Sequence, residues 1–243
     1  MRGPIIALAA TTVLLTPAAA HAAPRVYAAS SLRAAFPEID GAPTYNFAGS
    51  NALQTQIERG APADVFASAS PKEAQALFTE GRCTRPVTFA TNILVLLVPA
   101  NNPAGIKSIY SLKSGPKRRL AVGSPGVPIG DYTRQLLARM RLSSILTRHT
   151  VSNESNVANL TAKVALGSAD AGFAYITDAK AAGDRVRSIR LPTWAQPPVR
   201  YQMCAVKRSG ADTAGANAFI KKVTAPNGRR VLKKWGFGLP PKG

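Results

Sequence analysis

VYAASSLRAAF, residues 26–36, starts β-like at Val26 and Tyr27 and passes through small residues and two serines. It then enters a helical apolar pattern at Leu32, Ala35 and Phe36. A serine oxygen satisfies an orphan backbone N–H at a helix start, so one serine here reads as an N-cap. Two serines leave a second reading open, in which the end of the strand holds something. The same device recurs at Gly49-Ser50-Asn51, Pro128-Ile129-Gly130 and Ser155-Asn156-Val157. Strand, small or hydroxyl residues, then a helix N-terminus, repeated along a chain, is the pattern of an α/β architecture.

Outward from that stretch, β-like runs are expected as strands at Val26–Ala29, Thr44–Ala48, Asp64–Ala67, Ile93–Val98, Arg119–Val122, Val151–Ser155, Ala171–Tyr175 and Tyr201–Val206. ILVLLV (93–98) is apolar on both faces and reads as buried. Helical patterns cover Leu32–Phe36, Ala52–Arg59, Tyr132–Met140, Val157–Leu166, Thr213–Val223 and Pro226–Trp235, with another near Asp178. Ser70-Pro71-Lys72-Glu73 supplies cap, N1 proline and capping-box glutamate for a helix through Phe78. In open α/β sheets, ligands bind outside the carboxyl ends of the strands. Helix N-termini there present free N–H groups and about half a positive charge. Four such ends can converge on one anion, although any α/β protein has several.

Residues 1–22, MRGPIIALAATTVLLTPAAAHA, have the grammar of a secretory signal: a basic start, a short apolar run and a small-x-small end at Ala20-His21-Ala22. Cleavage is expected after Ala22, and the absence of a cysteine after the apolar run argues against a lipid anchor. The expected location is the periplasm or cell envelope. The remaining chain of about 220 residues suffices for one large domain or two lobes. Lys and Arg number 31 against 12 Asp and Glu, a formal charge of +19. Export argues against a nucleic-acid partner. The charge reads either as a solvated basic surface or as a field that speeds capture of a small anion. Cys83 and Cys204 enter an oxidising compartment, where a pair tends to bridge. Their separation in sequence does not show that they meet.

VYAASSL (26–32), NFAGSNALQTQIERGAPADVFASAS (46–70), AVGSPGVPIGDY (121–132), ALGSADAGFAYITDA (165–179) and the closing WGF (235–237) resemble the periplasmic molybdate-binding proteins of ABC importers. The likeness runs in order over nearly all of the chain after the signal. It implies a two-lobed type II periplasmic-binding fold with the ligand in the cleft between lobes. Lobe 1 would be residues 23–95 and 201–243, and lobe 2 residues 96–200, with Ile93–Val98 and the segment near Arg200–Val206 as hinge crossings. Both cysteines would then lie in or beside lobe 1, which favours their bridge. The resemblance places ligand contacts on Ser31, Ser50, Ile129, Val157 and Tyr175, with Ser30 and Asn51 in support. NESN (153–156) departs from the acidic-rich stretch expected of the family. The implied ligand is molybdate or tungstate, no cofactor is implied, and the implied partners are an ABC permease and its ATPase. A monomer is expected.

Those five groups are neutral, which suits a tetrahedral dianion with four accepting oxygens. Asp131 and Glu154 lie next to the expected contacts, and either would change the pocket's preference if it pointed inward. Serines at strand-to-helix turns also raise a hydrolase reading, but neither Ser31 nor Ser50 lies in a GxSxG elbow. After the signal the sole histidine is His149, and a Ser–His–Asp site would depend on it. A zinc site would need more His or Cys. Binding without chemistry is therefore the expectation. Another oxyanion such as sulfate, or a sensor role on the same scaffold, remains as the alternative.

Overall fold

The computed structural model describes residues 23–240. The expected signal, residues 1–22, lies outside them. In chain order the elements are β1 (Arg25–Ala29), α1 (Phe36–Ile39), β2 (Thr44–Ala48), α2 (Ser50–Glu58), β3 (Val65–Ser68), α3 (Pro71–Thr79), β4 (Val87–Asn92), β5 (Leu94–Pro99) and β6 (Leu120–Gly123). Then come α4 (Pro128–Arg139), α5 (Ser144–His149), β7 (Thr150–Glu154), α6 (Val157–Ala165), β8 (Ala171–Tyr175), α7 (Ile176–Ala182), β9 (Val186–Arg190), β10 (Val199–Ala205), α8 (Thr213–Thr224) and α9 (Pro226–Lys234).

The strands form two mixed sheets of five, ordered β2-β1-β3-β10-β4 and β7-β6-β8-β5-β9. In the first, β1 pairs in parallel with β2 and β3, and β10 runs antiparallel to β3 and β4. In the second, β6 is parallel to β7 and β8, and β5 is antiparallel to β8 and β9. The chain leaves the first sheet after Asn92 and enters the second at Leu94. It leaves the second after Arg190 and rejoins the first at Val199. Every residue of β5 is buried, so its continuous apolar run serves a strand covered on both faces. Ile93, expected in that strand, is instead the half-exposed link between the sheets.

A large core runs through both sheets, and a smaller one under the first holds Leu53, Ile57, Phe66, Leu77, Cys83 and Cys204. Cys83 and Cys204 form a disulfide there, with Cα atoms 5.9 Å apart across 121 residues of sequence.

Several local expectations need correction. Neither serine of the opening stretch caps a helix: Ser30–Leu32 form a 3-10 turn whose N-cap is Ala29, and no side chain bonds a backbone N–H there. The helix expected at Leu32–Phe36 is replaced by that turn and by α1. Gly49, not Ser50 or Asn51, is the N-cap of α2. α4 begins at Pro128, four residues before the expected Tyr132, because Pro128 occupies N1, where its missing N–H costs nothing. At α3, the Ser70 hydroxyl bonds the Glu73 carboxylate instead of the backbone.

Candidate functional site

The carboxyl ends of β1, β2 and β8 and the N-termini of α2, α4 and α6 meet at one small cavity of about 10 Å³ between the sheets. That is below the roughly 300–1,000 Å³ of sites for drug-sized molecules, so a small ligand fits better than a large one. Ser30, Ser31, Ser50, Ile129, Val157 and Tyr175 all line it, and no lining residue carries a charged side chain. The five contacts expected from the sequence, contributed by both sheets' ends, thus share one space.

Ser31 is buried in the turn after β1, and its Oγ lies 2.8 Å from Tyr201 Oη. Ser50 is the first residue of α2, and its Oγ accepts the Ala69 N–H at 3.0 Å. That bond occupies a lone pair and leaves the hydroxyl hydrogen available. Ile129 is the second residue of α4 and Val157 the first of α6. N–H groups at helix starts have no acceptor within the helix, so both are free donors. Asn156 caps α6 by accepting the Asn159 N–H at 3.0 Å, which leaves the Val157 N–H unclaimed. Tyr175 ends β8, and its hydroxyl is buried with no partner in the protein. Burial also raises its pKa well above the ordinary phenol value, so the group stays a protonated donor throughout the neutral range.

Two glycine positions let these pieces approach. A Cβ on Gly49 would collide with the Ser155 carbonyl oxygen at the lip of α6. A Cβ on Gly130 would strike the carbonyls of Gly123 and Ser124, which hold the β6–α4 turn closed. Glycine is needed at both for lack of space, not for an unusual φ.

The remaining candidates lie elsewhere. Asn51 does not line the cavity, and its buried Oδ1 has no partner. Asp131 turns back onto its own loop, accepting the Gly126 N–H at 2.8 Å, with Lys72 at 3.7 Å. Glu154 pairs with Lys163 at 2.7 Å and accepts the Ser152 hydroxyl; these partners hold its carboxyl below the usual carboxylate range against the cost of burial. Neither carboxylate lines the cavity. His149 is fully buried, with Nε2 2.7 Å from the Leu112 carbonyl and Nδ1 accepting the Arg118 N–H at 3.0 Å. Both ring nitrogens are thus used in packing the β7 end. Among the described residues no group of His, Cys, Asp and Glu is placed to hold a metal ion.

Sequence reasoning missed the layer behind Ser31. Asn92, Thr177 and Tyr201 join it through hydrogen bonds that span 85 to 170 positions of the chain. No local pattern marks such a set, because each residue sits in an otherwise ordinary segment.

Chemically, the cavity offers neutral hydrogen-bond donors from hydroxyls and backbone N–H groups, and no base, nucleophile–histidine pair or counter-charge. It suits a compact, fully deprotonated anion.

Comparison with known proteins agrees with this architecture. The family model for bacterial extracellular solute-binding proteins matches residues 24–238. The molybdate-binding protein ModA of Mycobacterium tuberculosis is 37% identical over 225 residues, covering 88% of this chain and 84% of that one. The solved structure of the Azotobacter vinelandii periplasmic molybdate-binding protein superposes with a TM-score of 0.78 at 25% identity, covering 89% of this chain and 99% of that one. The sulfate-binding protein SubI from Mycobacterium tuberculosis superposes with a TM-score of 0.76 at 17% identity, covering 91% and 88%, which speaks for the fold alone.

Proposed function

The chain belongs to the family of bacterial extracellular solute-binding proteins, and from that premise we propose that it binds molybdate, with tungstate as a second ligand, for delivery to an ABC permease and its ATPase. The observation that carries this reading is the meeting of Ser31, Ser50, Ile129, Val157 and Tyr175 at one uncharged cavity. In it, both serine hydroxyls, two helix-start N–H groups and the partnerless Tyr175 hydroxyl donate to the oxyanion. Hydrogen bonds to charged groups contribute roughly 1.5–3 kcal/mol each, so a handful of them supports tight binding without a cation. The names of the Mycobacterium tuberculosis and Azotobacter vinelandii relatives favour molybdate within that chemistry.

Selectivity follows from size and proton content. Sulfate has shorter bonds to oxygen and leaves the donors stretched, whereas tungstate nearly matches molybdate. Protonated phosphate needs an acceptor and meets donors instead. The role is capture without chemistry, in keeping with a His149 committed to packing. The two lobes that close on the anion are built on the two sheets, and the chain passes between them at Ile93 and through residues 191–198. Residues 1–22 act as an export signal, and the protein works outside the cytoplasm as a monomer. No helix among the described residues is long and apolar enough to cross a membrane.

Calorimetric titration with molybdate, tungstate, sulfate and phosphate tests the reading. The expected result is tight binding of the first two and much weaker binding of the others. Equal binding of all four, or none, overturns it.

A further inference from the structure

Ser31 can use its hydroxyl hydrogen toward the cavity or toward Tyr201, and what lies behind it decides which. Asn92 stands at the end of β4. Its Oδ1 accepts the Ile93 backbone N–H at 3.0 Å, which fixes the amide's orientation, since a backbone N–H cannot accept. Asn92 Nδ2 must therefore face inward, where it donates to Thr177 Oγ1 at 3.0 Å and to Tyr201 Oη at 3.3 Å. Tyr201 is fully buried, so water does not reach its hydroxyl, and its other neighbour is Ser31 Oγ at 2.8 Å. If Ser31 donated to Tyr201, the phenol hydrogen would point at Asn92 Nδ2, which has no lone pair to offer. In the opposite polarity every hydrogen is used: Asn92 donates to Tyr201, Tyr201 donates to Ser31, and the Ser31 hydrogen is left for the cavity.

We propose that Asn92 and Tyr201 are positioning residues that fix Ser31 as a hydrogen-bond donor, and that this one-way chain helps the site reject protonated oxyanions. The inference rests on the oxyanion-binding reading given above. A monohydrogen phosphate brings its own O–H and needs an acceptor, while a Ser31 held in this polarity presents a hydrogen. Molybdate, fully deprotonated at neutral pH, meets no such conflict. The phenol's burial pushes its pKa well above the ordinary value, so the chain keeps its polarity across the neutral range.

Tyr201→Phe removes the relay hydroxyl and keeps the ring that packs edge-on against Tyr175 and Phe237. At pH 8, molybdate affinity should fall about 3- to 10-fold, the effect of one hydrogen bond. The ratio of phosphate to molybdate dissociation constants, measured by competition, should fall further, because a released Ser31 can rotate and accept. In a Ser31→Ala background, Tyr201→Phe should change neither quantity. Asn92→Asp gives a second, independent reading: its carboxylate draws the phenol hydrogen to itself and turns Ser31 away from the cavity. Both anions are dianions at this pH, so added charge repulsion largely cancels in the ratio, which should fall as in Tyr201→Phe. An unchanged ratio in both variants, or a Tyr201→Phe effect that persists without Ser31, overturns the relay. A wild-type protein that binds no molybdate overturns the functional reading itself, and the relay with it.

Discussion

Tyr175 shows most simply how a residue here is shaped for binding at some cost to stability. A buried hydroxyl without a partner loses its hydration and recovers nothing within the protein. Tyr175→Phe is therefore expected to lower molybdate affinity about 10-fold or more while leaving the thermal midpoint without ligand unchanged or raised. Calorimetry and thermal melts of the same preparation check both halves, and a lowered midpoint would mean the hydroxyl is structural. Asp178 carries a different cost. It lies on a neighbouring cavity with Arg33 and Arg185, its Oδ2 has no partner, and burial pushes its carboxyl up to about 7 from 3.8. Backbone N–H groups of Tyr175 and Asp178 offset only part of that. The folded state thus holds a proton that the unfolded state releases, so stability falls as pH rises from about 4 to about 7. Asp178→Asn should remove that loss, stabilising the protein at pH 8 by on the order of 4 kcal/mol and hardly at all near pH 4. Denaturant unfolding at the two pH values measures it, and an equal gain at both would rule out titration as the cause.

At the scale of elements, the site depends on how closely α2 and α6 approach each other across the gap between the sheets. Gly49 is where a side chain would meet the Ser155 carbonyl. Its φ of −66° suits any residue, so Gly49→Ala should fold normally. It should bind molybdate at least 10-fold more weakly, because the extra methyl keeps the two helix starts apart. Titration together with a melt checks this, and full affinity would show that the approach is not needed. The sequence made much of this legible, for identifiable reasons. Strands β1, β2, β3 and β8 end in small or hydroxyl residues before a turn, so their carboxyl ends stood out, and with them Ser31, Ser50 and Tyr175. β4 and β9 did not stand out, because both are edge strands whose polar, partly exposed residues break the apolar signal. The start of α4 was hidden because Val-Pro-Ile-Gly also reads as a turn. The helix-cap reading of Ser30 and Ser31 failed because turn and cap share the same residue types, and only three-dimensional partners separate them. Asn92, Thr177 and Tyr201 were out of reach of any local pattern, since their meaning lies in mutual proximity.

At the scale of the whole molecule, the two sheets are joined at Ile93 and through residues 191–198. The disulfide secures the first sheet, tying the strand-like segment at Cys83 to β10 within a small core. The loop it closes is long, and losing such a bridge typically costs about 2–5 kcal/mol. A Cys83→Ser, Cys204→Ser double variant should accordingly melt several degrees lower, yet bind molybdate with near-native affinity wherever it remains folded. An unchanged midpoint would show that the packing alone holds that core. The formal charge of +19 plays no part in direct contact, since no charged side chain lines the cavity. Crystals grown with molybdate, measured by anomalous diffraction at the molybdenum edge, show most directly whether five neutral donors from both sheets grip one tetrahedral dianion. A single strong peak is expected within hydrogen-bonding reach of Ser31, Ser50, Ile129, Val157 and Tyr175. A peak at the basic surface instead, or none in the cavity at saturating molybdate, would contradict that grip.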